Sequence, residues 1–318
     1  INAYGQSGVP AKWWPRIRRH DGRVWWCSGS GGIVELNEGS FRHVAAVWGG
    51  WVEKQGDGNY VPMMHTKKTG LMGTWSDLNG DGRTQADEWR VTGQPAYPVS
   101  GGGPQQGWGM YFDETFNLYM HDWSDNEAGG VWKMPVVEWR KNQPVYDWER
   151  AAHVGLPRGH GLQHGASGAR TAFAAGGAAY AFNGGYNAAG LPGVGHGRDW
   201  EFSQVTKYDE ATGKPLWFAG ERAAAFAAPG QHYCPTGPSG LIRDYLFWTD
   251  ENSLVHVWDN EHGLYVDSLL EDVSRGPVPT PYTVWVELFN TRVFKHPKTG
   301  KVYLAAASDV VGRFLAAR

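Results

Sequence analysis

The sequence predicts an all-β protein folded as a β-propeller of about six blades, with seven as the alternative and a calcium loop set between two strands. Three observations predict it. The 318 residues include 45 Gly, 18 Trp, 14 Tyr and 12 Phe. Glycine is costly inside helices and aromatic side chains suit strands, so helix bundles are disfavoured. Five segments share one plan, an alternating strand, a polar turn carrying Asp, Asn or Gly, and a second strand. One twelve-residue stretch, Asp77 to Glu88, spaces its oxygen side chains as a cation loop does.

The five segments run from Arg23 to Leu36, from Phe112 to Met120 with Gly130 to Met134, from Val205 to Trp217, from Tyr245 to Val266, and from Val293 to Leu304. Each reads as strands joined by turn chemistry, the grammar of a propeller blade. At about 45 to 50 residues per blade, six blades fall near 13–55, 56–100, 105–155, 160–225, 230–275 and 280–318. Insertions at 92–107 and 183–200 make the spacing irregular. The expected domain is a single propeller over 1–318, and the competing architecture is a β-sandwich with long loops.

Composition removes several function classes. Lys+Arg 29 against Asp+Glu 32 gives a net charge of −3, and the one basic cluster, Arg16, Arg18 and Arg19, reads as a solvated strand or loop, so no nucleic-acid partner is expected. No run of about 18 apolar residues occurs, so no membrane span is encoded. Glycine without a G-x-y period excludes collagen, and 41% hydrophobic content argues against disorder. Cys27 and Cys234 are too few for a disulfide scaffold and form either one long-range bridge or two buried thiols. The first residue is Ile1 rather than Met, which suggests a processed or trimmed product of a longer protein.

The loop Asp77-Leu-Asn79-Gly-Asp81-Gly82-Arg83-Thr-Gln85-Ala-Asp87-Glu88 places oxygen side chains at positions one, three and five, glycine at six and a carboxylate at twelve. Calcium takes six to eight hard oxygens. Asp77, Asn79, Asp81, the Arg83 carbonyl and a bidentate Glu88 supply them, with Gln85 acting directly or through water. Gly82 permits the sharp turn. Gly70, Gly73, Gly93 and Pro95 flank the loop, so the two helices of an EF-hand are not expected and Thr84 to Asp87 has room for one short helical turn. The site is structural, and its low affinity suits an exported protein that is secreted, periplasmic or at the cell surface.

The loop resembles the DxNxDG loops of dockerins and of FG-GAP-like extracellular propellers. Val205 to Trp217, with Asp209, Thr212-Gly213-Lys214 and Trp217, resembles the blade-end signature of quinoprotein-type propellers, and Lys298-Thr299-Gly300-Lys301 with Tyr303 is a partial second copy. The resemblance implies that Trp217 docks on a neighbouring blade. The chain lacks the adjacent cysteine pair of the quinoprotein alcohol dehydrogenases and is much shorter, so the fold carries over and the quinone does not.

Chemistry-bearing residues concentrate in a glycine-rich region with His153, His160, His164 and His196, and with Arg158 and Arg198 nearby. Imidazoles on face loops can ligate a transition metal or act as general bases. His256 alternates with Val255, Val257 and Trp258 and reads as a sheet residue. Trp48-Gly-Gly-Trp51 and Gly107-Trp108-Gly109 read as glycine-flanked loops whose exposed rings suit stacking on sugars. Three functions follow. The first is a carbohydrate lyase or hydrolase in which His160, His164 or His196, with Tyr186 or Arg198, moves protons. The second is a non-catalytic module binding glycan or protein. The third is an oxidoreductase using quinone or a transition metal.

Overall fold

The computed structural model describes residues 16–28, 31–62, 70–93, 111–121, 131–154, 169–186, 200–222, 235–250, 255–269, 292–296, 298–307 and 312–317. These are all-β, as expected, with antiparallel strands and two single-turn 3-10 segments. The chain forms two compact units, 1–154 and 155–318.

In the first unit, β1 (Arg16–His20), β2 (Arg23–Cys27), β3 (Gly32–Asn37) and β4 (Ser40–Lys54) form a meander, followed by β5 (Tyr60–Pro62), β6 (Met72–Ser76) and β7 (Trp89–Thr92). The sheet order is β1-β2-β3-β4-β6-β7, with β5 on the far end of β4. The hairpin from β1 to β2 turns on Asp21 and Gly22, both at positive φ, the two-residue turn that matches strand twist. The blade boundary expected at 55/56 does not hold, because the single strand β4 pairs with β3, β6 and β5. No turn residue interrupts Val44-Ala-Ala-Val47, which is buried throughout.

A second sheet in this unit has the order β13-β10-β9-β8, built from β8 (Tyr111–Phe112), β9 (Leu118–His121), β10 (Val131–Met134) and β13 (Ala152–Val154). The hairpin of β11 (Glu138–Arg140) and β12 (Gln143–Val145) is inserted before β13. The hairpin and the segment after it are tied to β6. Thr74 Oγ1 donates to the Tyr146 carbonyl at 2.6 Å, Ser76 Oγ to that of Pro144 at 2.9 Å, and Trp148 Nε1 to that of Gly73 at 3.3 Å. Trp25, Ile33, Val47, Met72, Phe116 and Tyr146 lie in one core. Cys27 belongs to the same core as a free, fully buried thiol whose pKa burial pushes far up, so it is chemically quiet.

The second unit is three meanders in succession. The first is β14 (Ala169–Ala175), β15 (Ala178–Tyr186), β16 (Trp200–Asp209) and β17 (Pro215–Arg222). The second is β18 (Pro235–Ile242), β19 (Tyr245–Asp250), β20 (Val255–Asp259) and β21 (Tyr265–Leu269). The third is β22 (Arg292–Lys295), β23 (Val302–Ala307) and β24 (Gly312–Ala317). These coincide with the segments expected at 160–225, 230–275 and 280–318. The leading strands β14, β18 and β22 lie side by side in that order, as the inner strands of successive blades do.

Three turns in this unit share one hydrogen-bond frame. The Gly213 N–H donates to the Asp209 carbonyl, that of Gly263 to Asp259 and that of Gly300 to His296, at 2.8 to 2.9 Å. All three glycines have φ near +70°. The first residue caps the turn: Asp209 Oδ1 accepts from the Thr212 N–H at 2.7 Å, and Asp259 Oδ1 from the His262 N–H at 2.7 Å. The Thr212 hydroxyl, which also donates to Asp209 Oδ1 at 2.7 Å, does most to hold the Asp209 carboxyl below the usual carboxylate range, and the His262 N–H does most for Asp259. In the third copy His296 Nδ1 accepts from Lys298 and Thr299 N–H at 3.3 and 3.2 Å. His296→Asp should therefore tighten this turn and raise stability by about 0.5–1 kcal/mol, read by urea denaturation. An unchanged or lower midpoint would contradict the equivalence of the three turns.

Trp217 docks on the middle copy. Its Nε1 donates to the Asn260 carbonyl at 2.9 Å, and Lys207 Nζ donates to the same oxygen at 2.7 Å. Tyr180 Oη donates to Asn260 Oδ1 at 2.7 Å. The indole is pressed so closely on Gly263 that a Cβ there would lie 2.8 Å from Cδ2. Burial raises the Tyr180 hydroxyl to about 12, keeping it a donor.

Candidate metal centre and the expected ligand residues

The cation-type loop connects β6 to β7, between strands as expected. The single 3-10 turn Ala86–Glu88 is its only helical piece. Its early positions curl the backbone through their own side chains. Asp77 Oδ1 accepts from the Gly80 N–H at 2.8 Å and Asp77 Oδ2 from that of Gly82 at 3.1 Å. Asn79 Oδ1 accepts from the Asp81 N–H at 2.9 Å, and Asp81 Oδ1 from the Arg83 N–H at 2.8 Å. Gly82, at φ +71°, makes the sharp turn. The Arg83 N–H first, then the side chains of Gln85 and Asn79 and the charge of Arg83, hold the Asp81 carboxyl below its usual range. It stays an anion.

Glu88, at position twelve and only 4% exposed, is the hub. Its Oε1 accepts from Leu78 and Asn79 N–H at 2.8 and 3.2 Å, and its Oε2 from Trp75 Nε1 at 2.9 Å and the Gln85 N–H at 3.2 Å. Asn59 braces the other side, donating to the Thr84 carbonyl at 2.7 Å and accepting from Trp89 Nε1 at 2.9 Å.

Sequence reasoning did not find Arg42. Its Nη1 meets Asp77 Oδ2 at 2.7 Å, and its Nη2 and Nε meet Glu35 Oε2 at 2.7 and 3.2 Å. Arg23 Nη1 bonds the other Glu35 oxygen at 3.0 Å. With its amide oxygen turned inward, Gln143 accepts from Arg42 Nη2 at 2.8 Å. The loop lies on this side chain: a Cβ on Gly80 would sit 3.4 Å from Arg42 Nη1, and one on Gly82 3.4 Å from its Cγ. A partner 35 residues upstream leaves no mark in the spacing of the loop.

The oxygen donors suit a hard cation, and Gln85 at position nine adds one. Its Nε2 donates to Asp81 Oδ2 at 2.7 Å, while its Oε1 is buried with no hydrogen-bond partner. The set Asp77, Asn79, Asp81, the Arg83 carbonyl, Gln85 and Glu88 thus fits calcium by chemistry. Among the described residues no three acidic, histidine or cysteine side chains already converge on one point. Asp77 faces Arg42 and Glu88 faces N–H donors on both oxygens, so an ion would compete with Arg42 at Asp77 and a bidentate Glu88 would give up N–H donors to it.

The other expected site residues are placed less fully. Trp48 and Trp51 belong to β4 rather than to a loop, which corrects the expectation. The register advances from Val47 opposite Thr74 to Trp51 opposite Met72, so the Gly49–Gly50 pair is absorbed as a bulge. The side chains of Trp48 and Trp51 lie outside the described residues, as do Trp108, His160, His164, His196 and Arg198. Tyr186 ends β15 opposite Trp200, and its side chain is likewise not described. His256 lies in β20, a sheet residue as expected, and is fully buried.

No family model matches the chain, and no curated protein matches it. Solved structures do. BamB from Moraxella catarrhalis aligns over 95% of this chain and 72% of its own, at 14% identity and TM-score 0.38. Apo AztD from Citrobacter koseri aligns over 95% and 71%, at 12% identity and TM-score 0.36. The computationally designed Ika8 protein aligns over 95% and 82%, at 11% identity and TM-score 0.37. All three are β-propeller proteins. No helix among the described residues is long and apolar enough to cross a membrane.

Proposed function

We propose that the chain is a calcium-stabilised propeller of about six blades, exported to the periplasm, cell surface or medium, that acts on or binds carbohydrate. One observation carries the calcium part. Positions one, three and five of the 77–88 loop are curled by their own side-chain acceptors, and position twelve is folded back onto positions two and three. The ion would be held by Asp77, Asn79, Asp81, the Arg83 carbonyl and Glu88, with Gln85 Oε1 as a further donor. It supplies a clamp between β6 and β7 and no nucleophile. The glycan part is supported by the glycine-flanked tryptophans, Trp48 and Trp51 at the β4 bulge and Trp108. Cleavage, as distinct from binding, would fall to His160, His164, His196, Tyr186 and Arg198.

Calcium in excess of its dissociation constant should raise the melting temperature by roughly 5–10 °C, and Asp81→Ala should abolish the rise. A melting curve indifferent to chelator and calcium would overturn the calcium reading. A glycan array with products read by mass spectrometry separates the roles: binding alone marks a module, unsaturated products mark a lyase, and absence of both overturns the glycan reading.

A further inference from the structure

We propose that Arg42 is a built-in counter-ion of the 77–88 loop, which closes the loop without metal and sets its calcium affinity low by competing for Asp77. The inference rests on the calcium reading above. Asp77 is wholly buried and carries the first ligand position. A buried carboxylate needs a compensating charge or donors, and Arg42 Nη1 supplies the charge at 2.7 Å. Glu35, at the other end of Arg42, is already paired with Arg23 at 3.0 Å, so its charge does not by itself require Arg42. Gly80 and Gly82 lie in contact with the Arg42 side chain, which places the guanidinium against the segment that would wrap the ion.

A dication seeking Asp77 meets an oxygen already bonded to a cation. Either Arg42 withdraws toward Glu35 and Gln143, or it stays and repels the ion. Both routes weaken binding, and both predict that removing the charge strengthens it. A merely structural Arg42 predicts the opposite, because losing a brace loosens the loop and weakens binding.

The test is terbium and calcium titration of the full chain, followed by terbium luminescence sensitised through Trp75, whose Nε1 sits on Glu88. Arg42→Gln should bind about tenfold more tightly than the parent, Arg42→Lys should stay close to the parent, and Arg42→Gln without metal should melt lower. Equal or weaker binding by Arg42→Gln overturns the role given to Arg42 and leaves the calcium reading standing. No binding by parent or variants overturns both. Should Arg42→Gln not fold, the Arg42 Nε–H resonance of the parent decides. It should shift as calcium is added, and a resonance unmoved at saturating calcium overturns the proposal.

Discussion

Glu88→Ala should lower the stability of the metal-free protein by about 3–5 kcal/mol, measured by urea denaturation in chelator. Four donors converge on this carboxylate, from Trp75, Leu78, Asn79 and Gln85. They differ in what they lose. Asn79 is exposed and its N–H can turn to water, whereas Trp75 is fully buried and its indole N–H would be stranded. Glu88→Gln keeps one acceptor oxygen and replaces the other with a donor that meets donors, so its cost should be smaller but still clear. Because the bonds are the protein's own, the loss must appear without calcium. A variant as stable as the parent in chelator would show that Glu88 matters only as a ligand.

Trp217→Ala should cost about 3–4 kcal/mol, and Trp217→Phe about 1–2 kcal/mol. The first removes a buried ring and leaves a cavity over Gly263, and the second mainly removes the donor to Asn260. The loss should concentrate at the turn formed by residues 259–263, so hydrogen exchange there should accelerate while the β2–β3 pairing in the first unit stays protected. Uniform loss of protection across the chain would mean that Trp217 acts on the fold as a whole.

How much of this was legible in the sequence depended on where each signal resides. The loop was legible because its candidate ligand side chains and its turn glycine lie within twelve consecutive residues, each with its own spacing rule. The meanders of the second unit were legible through Asp209, Gly213 and Trp217. The middle copy, Asp259 to Leu264, escaped notice as a copy because only the aspartate and the glycine are retained, with His262 and Leu264 in the places of Thr212 and Lys214. Those two retained residues carry the capping oxygen and the left-handed backbone, so D-x-x-x-G was the usable signal. The early blade boundary was misplaced because the pairing of β4 with β6 leaves no local mark, and Trp48 and Trp51 were read as loop residues because a glycine pair marks a bulge as well as a turn. Arg42, Trp75 and Asn59 could not be assigned to the loop, since sheet pairing brings them there and local pattern does not. His160, His164, His196 and Trp108 fall outside the described residues.

Ala45 and Ala46 of β4 are each paired on both sides, to Ile33 and Gly32 of β3 and to Ser76 and Trp75 of β6. Their small side chains leave room for the large rings packed about them, Trp25 near one and Trp75 near the other. The strand is therefore a spine shared by two ribbons, and neither ribbon can peel away without exposing the other. Arg42 grows from that same spine three residues earlier, so the contact it makes with the loop at Asp77 is anchored in a strand paired on both sides. An ion bound in the loop, as proposed, would thereby act on a lever whose fulcrum is the centre of the sheet.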